Sequence, residues 1–146
     1  MATEIEIDVA VLKSEIKKTY ASVSSEPERE FIFPTGRDWA EDLGYPPELA
    51  NVPDSAVESF AGVANPWALG RLEPGEHVLD LGSGAGTDSL VAAQMVGDEG
   101  RVTGIDMTPE MLAKARGRLL RWAPATSSSS RPRRNGCRLP MRASTS

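Results

Sequence analysis

The segment VLDLGSGAGTDSL, residues 78–90, constrains this chain more than any other feature. A short apolar run leads into Gly82, Gly84 and Gly86, which are separated by single residues, and an amphipathic stretch follows. Glycine tolerates positive φ and lets the backbone approach a ligand closely. When a strand ends in such a turn and a helix follows, free backbone N–H groups and the positive end of the helix point at that ligand. The pattern therefore predicts a strand–loop–helix ligand site.

Two common classes of glycine loop match this segment poorly. A Walker phosphate loop ends in Gly-Lys-Ser/Thr, and no lysine is present here. A dinucleotide fingerprint reads G-x-G-x-x-G, whereas this loop reads G-x-G-x-G with Thr87 in the next place. A nicotinamide-dependent oxidoreductase therefore stays only as an alternative.

An acidic residue at the end of the next apolar stretch narrows the choice of ligand. RVTGID ends at Asp106, whose carboxylate can accept hydrogen bonds from both hydroxyls of an adenosine ribose. Met107 is placed to lie against an adenine face, since contacts between a thioether and an aromatic ring are favourable. Asp80 precedes the first glycine, and an anion there suits a cationic ligand better than a pyrophosphate. Together these residues favour S-adenosylmethionine, which carries a sulfonium and an α-amino group.

The pattern along the chain predicts an α/β fold. Residues 8–22 have the spacing of an amphipathic helix, with Val9, Leu12, Ile16 and Tyr20 on one face. Residues 24–37 read as a polar connector, and residues 37–72 read as short helices interrupted by proline and glycine. From residue 76 the chain reads as strand, helix, strand and helix. One βαβα unit of this kind predicts a parallel, Rossmann-like sheet.

The last helix of that unit has clear start signals. Thr108 can cap it, Pro109 takes its first position, and Glu110 lies near its positive end. Met111, Leu112, Ala115 and Leu119 form its apolar face. We expect three regions: an N-terminal helical cap (1–72), a cofactor-binding βαβα unit (73–121) and a disordered basic tail (122–146).

VLDLGSGAGTDSLVAA together with RVTGIDMTPEMLAKAR resembles the cofactor half of class I S-adenosylmethionine-dependent methyltransferases, and residues 43–82 bring the resemblance closer to the arsenite-methyltransferase-like group. The resemblance covers about residues 8–120. It implies that the loop Asp80, Gly82, Ser83, Gly84 and Gly86 holds the methionine part of S-adenosylmethionine and that Asp106, with Met107 beside it, holds the adenosine. It also implies that Tyr20 closes over the cofactor.

The resemblance fails at the residues that would bind arsenic. Relatives carry a Cys-Gly-Asn-Pro stretch where this chain reads Val63-Ala64-Asn65-Pro66, and often a cysteine where it has Ser89. Trivalent arsenic is a soft centre that family members hold with cysteine thiolates. We therefore expect methyl transfer to an unidentified small molecule, with arsenite methylation or a non-catalytic remnant as alternatives, and no catalytic residue is assigned.

The C-terminal residues differ sharply in charge from the rest. Residues 1–110 hold all 21 acids against 7 Lys+Arg, while residues 111–146 hold 9 Lys+Arg and no acid. Synonymous codons for residues 126–131 permit a shifted reading of Val-Glu-Phe-Val-Glu, which resembles the third strand that the fold requires. We therefore expect a fold truncated after the second strand and its helix, with a change of reading frame that resequencing codons 115–130 would reveal.

Composition excludes several other classes. No apolar run approaches the roughly 20 residues of a membrane span, and the acidic N-terminus lacks a secretory signal, so we expect a cytoplasmic protein without a membrane partner. Cys137 is the single cysteine and His77 the single histidine, which leaves no metal cluster. The arginines of the tail lack nearby aromatic partners, so we expect no nucleic-acid partner. The oligomeric state stays open.

Overall fold

The computed structural model describes residues 8–26, 31–119 and 141–143. The regular elements, in chain order, are α1 (Val9–Ser25), α2 (Gly36–Asp42), α3 (Asp54–Val57), β1 (His77–Leu81), α4 (Thr87–Val96), β2 (Arg101–Asp106), α5 (Pro109–Leu119) and β3 (Met141–Ala143). Two short 3₁₀ turns, Pro47–Asn51 and Pro66–Leu69, lie between the helices of the cap.

The strands form a parallel sheet in the order β1-β2-β3. His77 lies opposite Arg101 and Leu81 opposite Ile105, so β1 and β2 end at the same edge. The α/β, Rossmann-like fold class and the βαβα unit are confirmed. The sheet is small, and the three-residue strand β3 adds to it by pairing with β2 from Gly104 to Asp106. Its three residues carry no periodic signal, and the pairing depends on the free edge of β2 rather than on local propensity.

The helix α4 lies between the cap and the sheet. Its residues Leu90, Val91 and Met95 pack with the cap, in a core that includes Leu49, Val52, Val57 and Phe60. Its residues Ala92, Ala93 and Val96 pack with Val102 of β2 and Val78 of β1. A helix covered on both sides is apolar around most of its circumference, which is what TDSLVAAQMV shows. The position of α4 thus fixes the cap relative to the sheet.

The cap is held together by Arg37 at the start of α2. Its guanidinium donates to the carbonyl oxygens of Val52 (2.8 Å) and Leu49 (3.1 Å) and pairs with Asp54 (2.7 Å). Because the carboxylate of Asp54 is largely exposed, the two carbonyl bonds contribute more than the ion pair. One side chain therefore connects α2, a 3₁₀ turn and α3.

The helix predicted over residues 8–22 is confirmed as α1, which begins after the capping side chain of Asp8. Only its C-terminal half is packed: Val23 is buried with Ala85 and Met111, whereas Val9 and Leu12 are exposed. Lys114 of α5 secures this end by donating to the carbonyl oxygen of Ser24 (3.2 Å). The packed end is the one that carries Tyr20 toward the sheet.

Leu79 (57% exposed) and Leu81 (74% exposed) lie on the same face of β1. Within the described ranges, no helix has the length and apolar character that a membrane crossing requires. The disordered tail and the shifted reading frame were predicted for residues that, apart from β3, lie outside the described ones, and the division at residues 72 and 121 stays a prediction.

Replacing Leu90 by alanine should destabilise the fold. Leu90 is 1% exposed in the core shared by α4 and the cap, so the change creates a cavity and should lower the free energy of unfolding by about 2–5 kcal/mol. Urea denaturation followed by circular dichroism measures this. Leu69→Ala is the matched control, because Leu69 is 94% exposed and its loss should cost under about 0.5 kcal/mol. Equal losses in the two variants would contradict the packing described here.

Candidate functional site: a cleft at the carboxyl edge of the sheet

A cleft of about 550 Å³ opens where β1 and β2 end. Its lining comes from α1, the cap, the glycine loop and the start of α5. The lining residues are Tyr20, Ser59, Phe60, Ala61, Gly62, Val63, Leu81, Gly82, Ser83, Gly84, Ala85, Thr87, Asp88, Ile105, Asp106, Met107, Thr108 and Met111. The carboxyl edge of a parallel sheet is the usual ligand edge of open α/β folds.

The glycine loop adopts a conformation that only glycine tolerates well. Gly82, Gly84 and Gly86 have φ of 76°, 52° and 97°. A Cβ built on Gly82 or Gly84 would meet no atom within 4 Å, so these positions face open space beside the cleft. The amides of Gly82 and Ser83 donate to the carbonyl oxygen of Ile105 at 2.8 and 3.0 Å, which ties the loop to β2.

Asp106 connects the two loops that form the base of the cleft. Its Oδ2 accepts from the backbone N–H of Gly84 at 2.8 Å, and its Oδ1 accepts from that of Thr108 at 2.7 Å. The carboxylate therefore lies between the glycine loop and the start of α5, at the end of β2. Each oxygen retains a further lone pair for a ligand hydroxyl.

Asp80 lies behind the cleft rather than in its lining. Its Oδ2 accepts from the Ser89 hydroxyl at 2.6 Å. Burial raises the pKa of Asp80, the bond from Ser89 opposes this, and the negative charge of Asp106 raises it further. Asp80 thus contributes negative potential through the loop. The structure does not bring its side chain into the lining.

Asp88, in the first turn of α4, is a second partly buried acid and does line the cleft. Burial is the main reason that its pKa rises to about 6. The nearby charge of Asp80 adds to the rise, while Tyr45 and Trp67 act in the opposite direction. Asp80, Asp88 and Asp106 therefore make this edge of the sheet strongly electronegative, a potential that suits a cationic ligand.

The cap supplies the wall opposite the glycine loop through residues 60–63. The Trp39 indole N–H donates to the carbonyl oxygen of Gly62 at 2.7 Å, and the ring of Phe60 meets that of Tyr45 edge-on with centroids 5.0 Å apart. A Cβ on Gly62 would come within 2.4 Å of the Phe60 ring, so glycine is required for this fold-back. Val63, at the mouth, is 92% exposed.

The cleft brings together six of the eight residues that the sequence nominates, namely Tyr20, Gly82, Ser83, Gly84, Asp106 and Met107. Asp80 and Gly86 lie outside the lining. Gly86 instead makes the left-handed turn from which α4 starts. Sequence reasoning missed Asp88 and the wall at residues 60–63. Asp88 follows the glycine loop directly and could have been noticed, whereas the wall becomes part of the site only through packing of the cap.

These observations fit S-adenosylmethionine. Its adenosine and methionine parts need a groove over open glycines, a carboxylate for the ribose hydroxyls, and a negative potential for the sulfonium and ammonium groups. The groove lies over Gly82 and Gly84, and Asp106 supplies the carboxylate. Asp80, Asp88 and Asp106 together supply the negative potential. Among the described residues, no group of His, Cys, Asp or Glu is arranged to hold a metal ion.

Comparison with known proteins agrees with this geometry. The family described as "Methyltransferase domain" matches residues 72–121, which span β1 to α5. This segment is therefore similar to methyltransferase domains of that family. It carries the glycine loop and Asp106, so the match supports both the fold class and the assignment of the cleft to a cofactor.

The relatives that this chain resembles are named for different methyl acceptors. An arsenite methyltransferase of Halobacterium salinarum is 54% identical over 78 residues, which cover 53% of this chain and 20% of the relative. A 23S rRNA (uracil(1939)-C(5))-methyltransferase of Acinetobacter baylyi is 51% identical over 45 residues, covering 31% of this chain and 10% of the relative.

A solved structure resembles a larger share of the chain than the family model matches. The arsenic(III) S-adenosylmethionine methyltransferase of Chlamydomonas reinhardtii superposes with a TM-score of 0.51 and 35% identity, over 66% of this chain and 32% of that one. The chain therefore spans about a third or less of the length of these three proteins. The resemblance to the arsenite-methyltransferase-like group is confirmed.

Replacing Asp88 by asparagine should stabilise the fold at neutral pH. Because its pKa is about 6 in the folded protein and near 4 when unfolded, the native state binds the proton more tightly, and this stabilisation is lost as pH rises through 6. Above pH 7, Asp88→Asn should raise the free energy of unfolding by about 1–3 kcal/mol, and the difference should shrink toward pH 4. Urea denaturation from pH 4 to 8 measures this.

The control for that series is Asp98→Asn, which changes an exposed acid just after α4. As a surface substitution, it should change the unfolding free energy by less than about 0.5 kcal/mol. If the difference between Asp88→Asn and the unmodified chain did not vary with pH, the raised pKa would be wrong.

Proposed function

We propose that this chain binds S-adenosylmethionine in the cleft and acts in methyl transfer to a small-molecule acceptor. The observation that carries the proposal is the position of Asp106. Its carboxylate lies at the end of β2, beside Met107 and across from the open glycines, which is the arrangement that an adenosine ribose requires. The methyltransferase domain match over residues 72–121 supports the same reaction class.

Each group of residues has a distinct role in this proposal. Asp106 would accept hydrogen bonds from the ribose hydroxyls, and Met107 would contact the adenine. The glycine loop would admit the methionine part, and Asp80 would supply negative potential from behind it. Tyr20, at the packed end of α1, would cover the cofactor and exclude water. S-adenosylmethionine itself supplies an activated methyl group, so the contribution of the protein is mainly to position the acceptor.

The acceptor side of the cleft argues against arsenite. The wall opposite the loop is formed by Phe60, Ala61, Gly62 and Val63, and none of these is a thiol. Val63 occupies the place where the resemblance puts an arsenic-binding cysteine, and Ser89, at the second such place, is bonded to Asp80. An apolar wall of this kind favours an organic acceptor. The 54% identity to an arsenite methyltransferase keeps arsenite methylation as the second candidate.

Replacing Asp106 by alanine should weaken S-adenosylmethionine binding by about 1–3 kcal/mol, because two hydrogen bonds to a charged acceptor are lost. Isothermal titration calorimetry on the 146-residue chain measures the affinity. Asp106→Asn should fall between alanine and the unmodified chain, since one acceptor oxygen remains. Unchanged affinity in Asp106→Ala would remove this residue from the ribose site, and tighter binding of NADH than of S-adenosylmethionine would favour the oxidoreductase alternative.

A transfer assay separates the two acceptor candidates. With tritium-labelled S-adenosylmethionine, we expect incorporation into a member of a panel of small organic phenols, amines and thiols and none into arsenite. Val63→Cys is the informative variant, because it restores one thiol at the cleft mouth without disturbing the core. Methylated arsenic produced by the unmodified chain would establish the second candidate instead.

A further inference from the structure

Three buried polar atoms in the described chain lack a hydrogen-bond partner: the hydroxyl of Tyr45, the indole Nε1 of Trp67 and Oδ1 of Asp88. Such atoms are uncommon in folded proteins, because a buried donor or acceptor that has lost its contact with water costs free energy. Two of them are donors and the third belongs to a carboxylate. Buried donors and a buried acceptor that lack partners can form hydrogen bonds with one another if they lie close together.

The three residues meet in one part of the core. Tyr45 and Trp67 pack against the cluster that contains Leu90 and Val91 of α4, the helix whose first turn carries Asp88. In agreement with this, Tyr45 and Trp67 act to lower the pKa of Asp88, although burial raises it overall. The donors therefore lie near the carboxylate without reaching normal hydrogen-bond geometry. A small movement of the side chains, or one water accepting from the donors and donating to Asp88, would complete the network.

Asn65 ties together the two backbone segments that carry the donors. Its Oδ1 accepts from the backbone N–H of Trp67 at 2.9 Å, and its Nδ2 donates to the carbonyl oxygen of Gly44 at 2.7 Å. Gly44 immediately precedes Tyr45, so one side chain links the backbone at both donor residues. The ring of Tyr45 is fixed further by its edge-on contact with Phe60 in the wall of the cleft.

Asp88 belongs to α4 and not to the cap segments that carry Tyr45 and Trp67. It is the second residue of α4 and follows the glycine loop by two positions. A bond between Asp88 and the two cap residues would therefore join the wall at residues 60–63 to the loop that borders the cofactor. The titratable groups that face Asp88 are Tyr45 of the cap and Asp80 of β1.

We propose that Asp88 is a positioning residue that accepts hydrogen bonds from Tyr45 and Trp67, directly or through one water, and so holds the cap at the distance from the glycine loop that S-adenosylmethionine requires. The expected effect of Asp88 on the affinity for S-adenosylmethionine rests on the proposed function. The hydrogen bonds from Tyr45 and Trp67 to Asp88 should form in the protein without cofactor as well. For the affinity, this hydrogen bond of Asp88 to the cap matters more than the charge that Asp88 adds to the cleft.

The test uses the full chain labelled with ¹⁵N. The indole N–H signal of Trp67 is assigned by its disappearance in Trp67→Phe, and its hydrogen exchange is measured without cofactor. In Asp88→Ala, exchange should become at least about tenfold faster, because the acceptor is gone. In Asp88→Asn it should stay close to that of the unmodified chain, since one side-chain oxygen still accepts. The indole of Trp39, bonded to Gly62, is the internal control and should not change.

The second measurement is the affinity for S-adenosylmethionine by calorimetry. We expect Asp88→Ala to bind about tenfold more weakly and Asp88→Asn to stay within about threefold of the unmodified chain. Tyr45→Phe, which keeps the ring packing on Phe60, should show part of the loss. Combined with Asp88→Ala it should add little, because both changes break one network. Asp98→Asn is the matched acid control.

The outcomes distinguish the two proposals. Unchanged exchange of the Trp67 indole in Asp88→Ala would overturn the hydrogen bond. Equal losses of affinity in Asp88→Ala and Asp88→Asn would show that Asp88 acts by its charge and would overturn the positioning role. If the unmodified chain bound no S-adenosylmethionine, the proposed function would fail, and the exchange measurement would still decide whether Asp88 holds the cap.

Discussion

The hydrogen bond from the backbone N–H of Gly84 to Asp106 is the interaction on which the site depends. It joins the loop after β1 to the end of β2, and the bonds from Gly82 and Ser83 to the carbonyl oxygen of Ile105 run beside it. These contacts require the two strands to end at the same edge, as the parallel register provides. The carboxylate proposed for ribose recognition is therefore also the group that orders the loop.

The helix α4 transmits this order to the cap. One side of the helix packs on the sheet and the other on the cap, while its first turn carries Asp88 and its preceding residue Gly86 closes the loop. A shift of α4 would consequently change three things at once: the position of the cap, the conformation of the glycine loop and the electrostatic potential in the cleft. A buried carboxylate with a raised pKa weakens the fold at neutral pH, and such a cost is typical of residues retained for a site rather than for stability.

Sequence reasoning succeeded where the signal is local. The bounds of β2 follow from RVTGID between turn residues, and the start of α5 follows from Thr108 and Pro109. It failed where tertiary packing decides. The three residues of β3 acquire their structure from the edge of β2, and residues 60–63 join the site because Trp39 and Tyr45 hold them there. The network around Asp88 was equally hidden, since Tyr45 and Trp67 carry no local sign of a shared partner.

The exposed leucines of β1 have a consequence for the protein in solution. Leu79 and Leu81 present apolar side chains on one face of the strand at the border of the sheet, where the backbone can also pair with another strand. Attraction between such faces strengthens with warming, because the hydration of apolar groups becomes less favourable. Contact between the exposed leucines of two copies would therefore become more favourable as the solution is warmed.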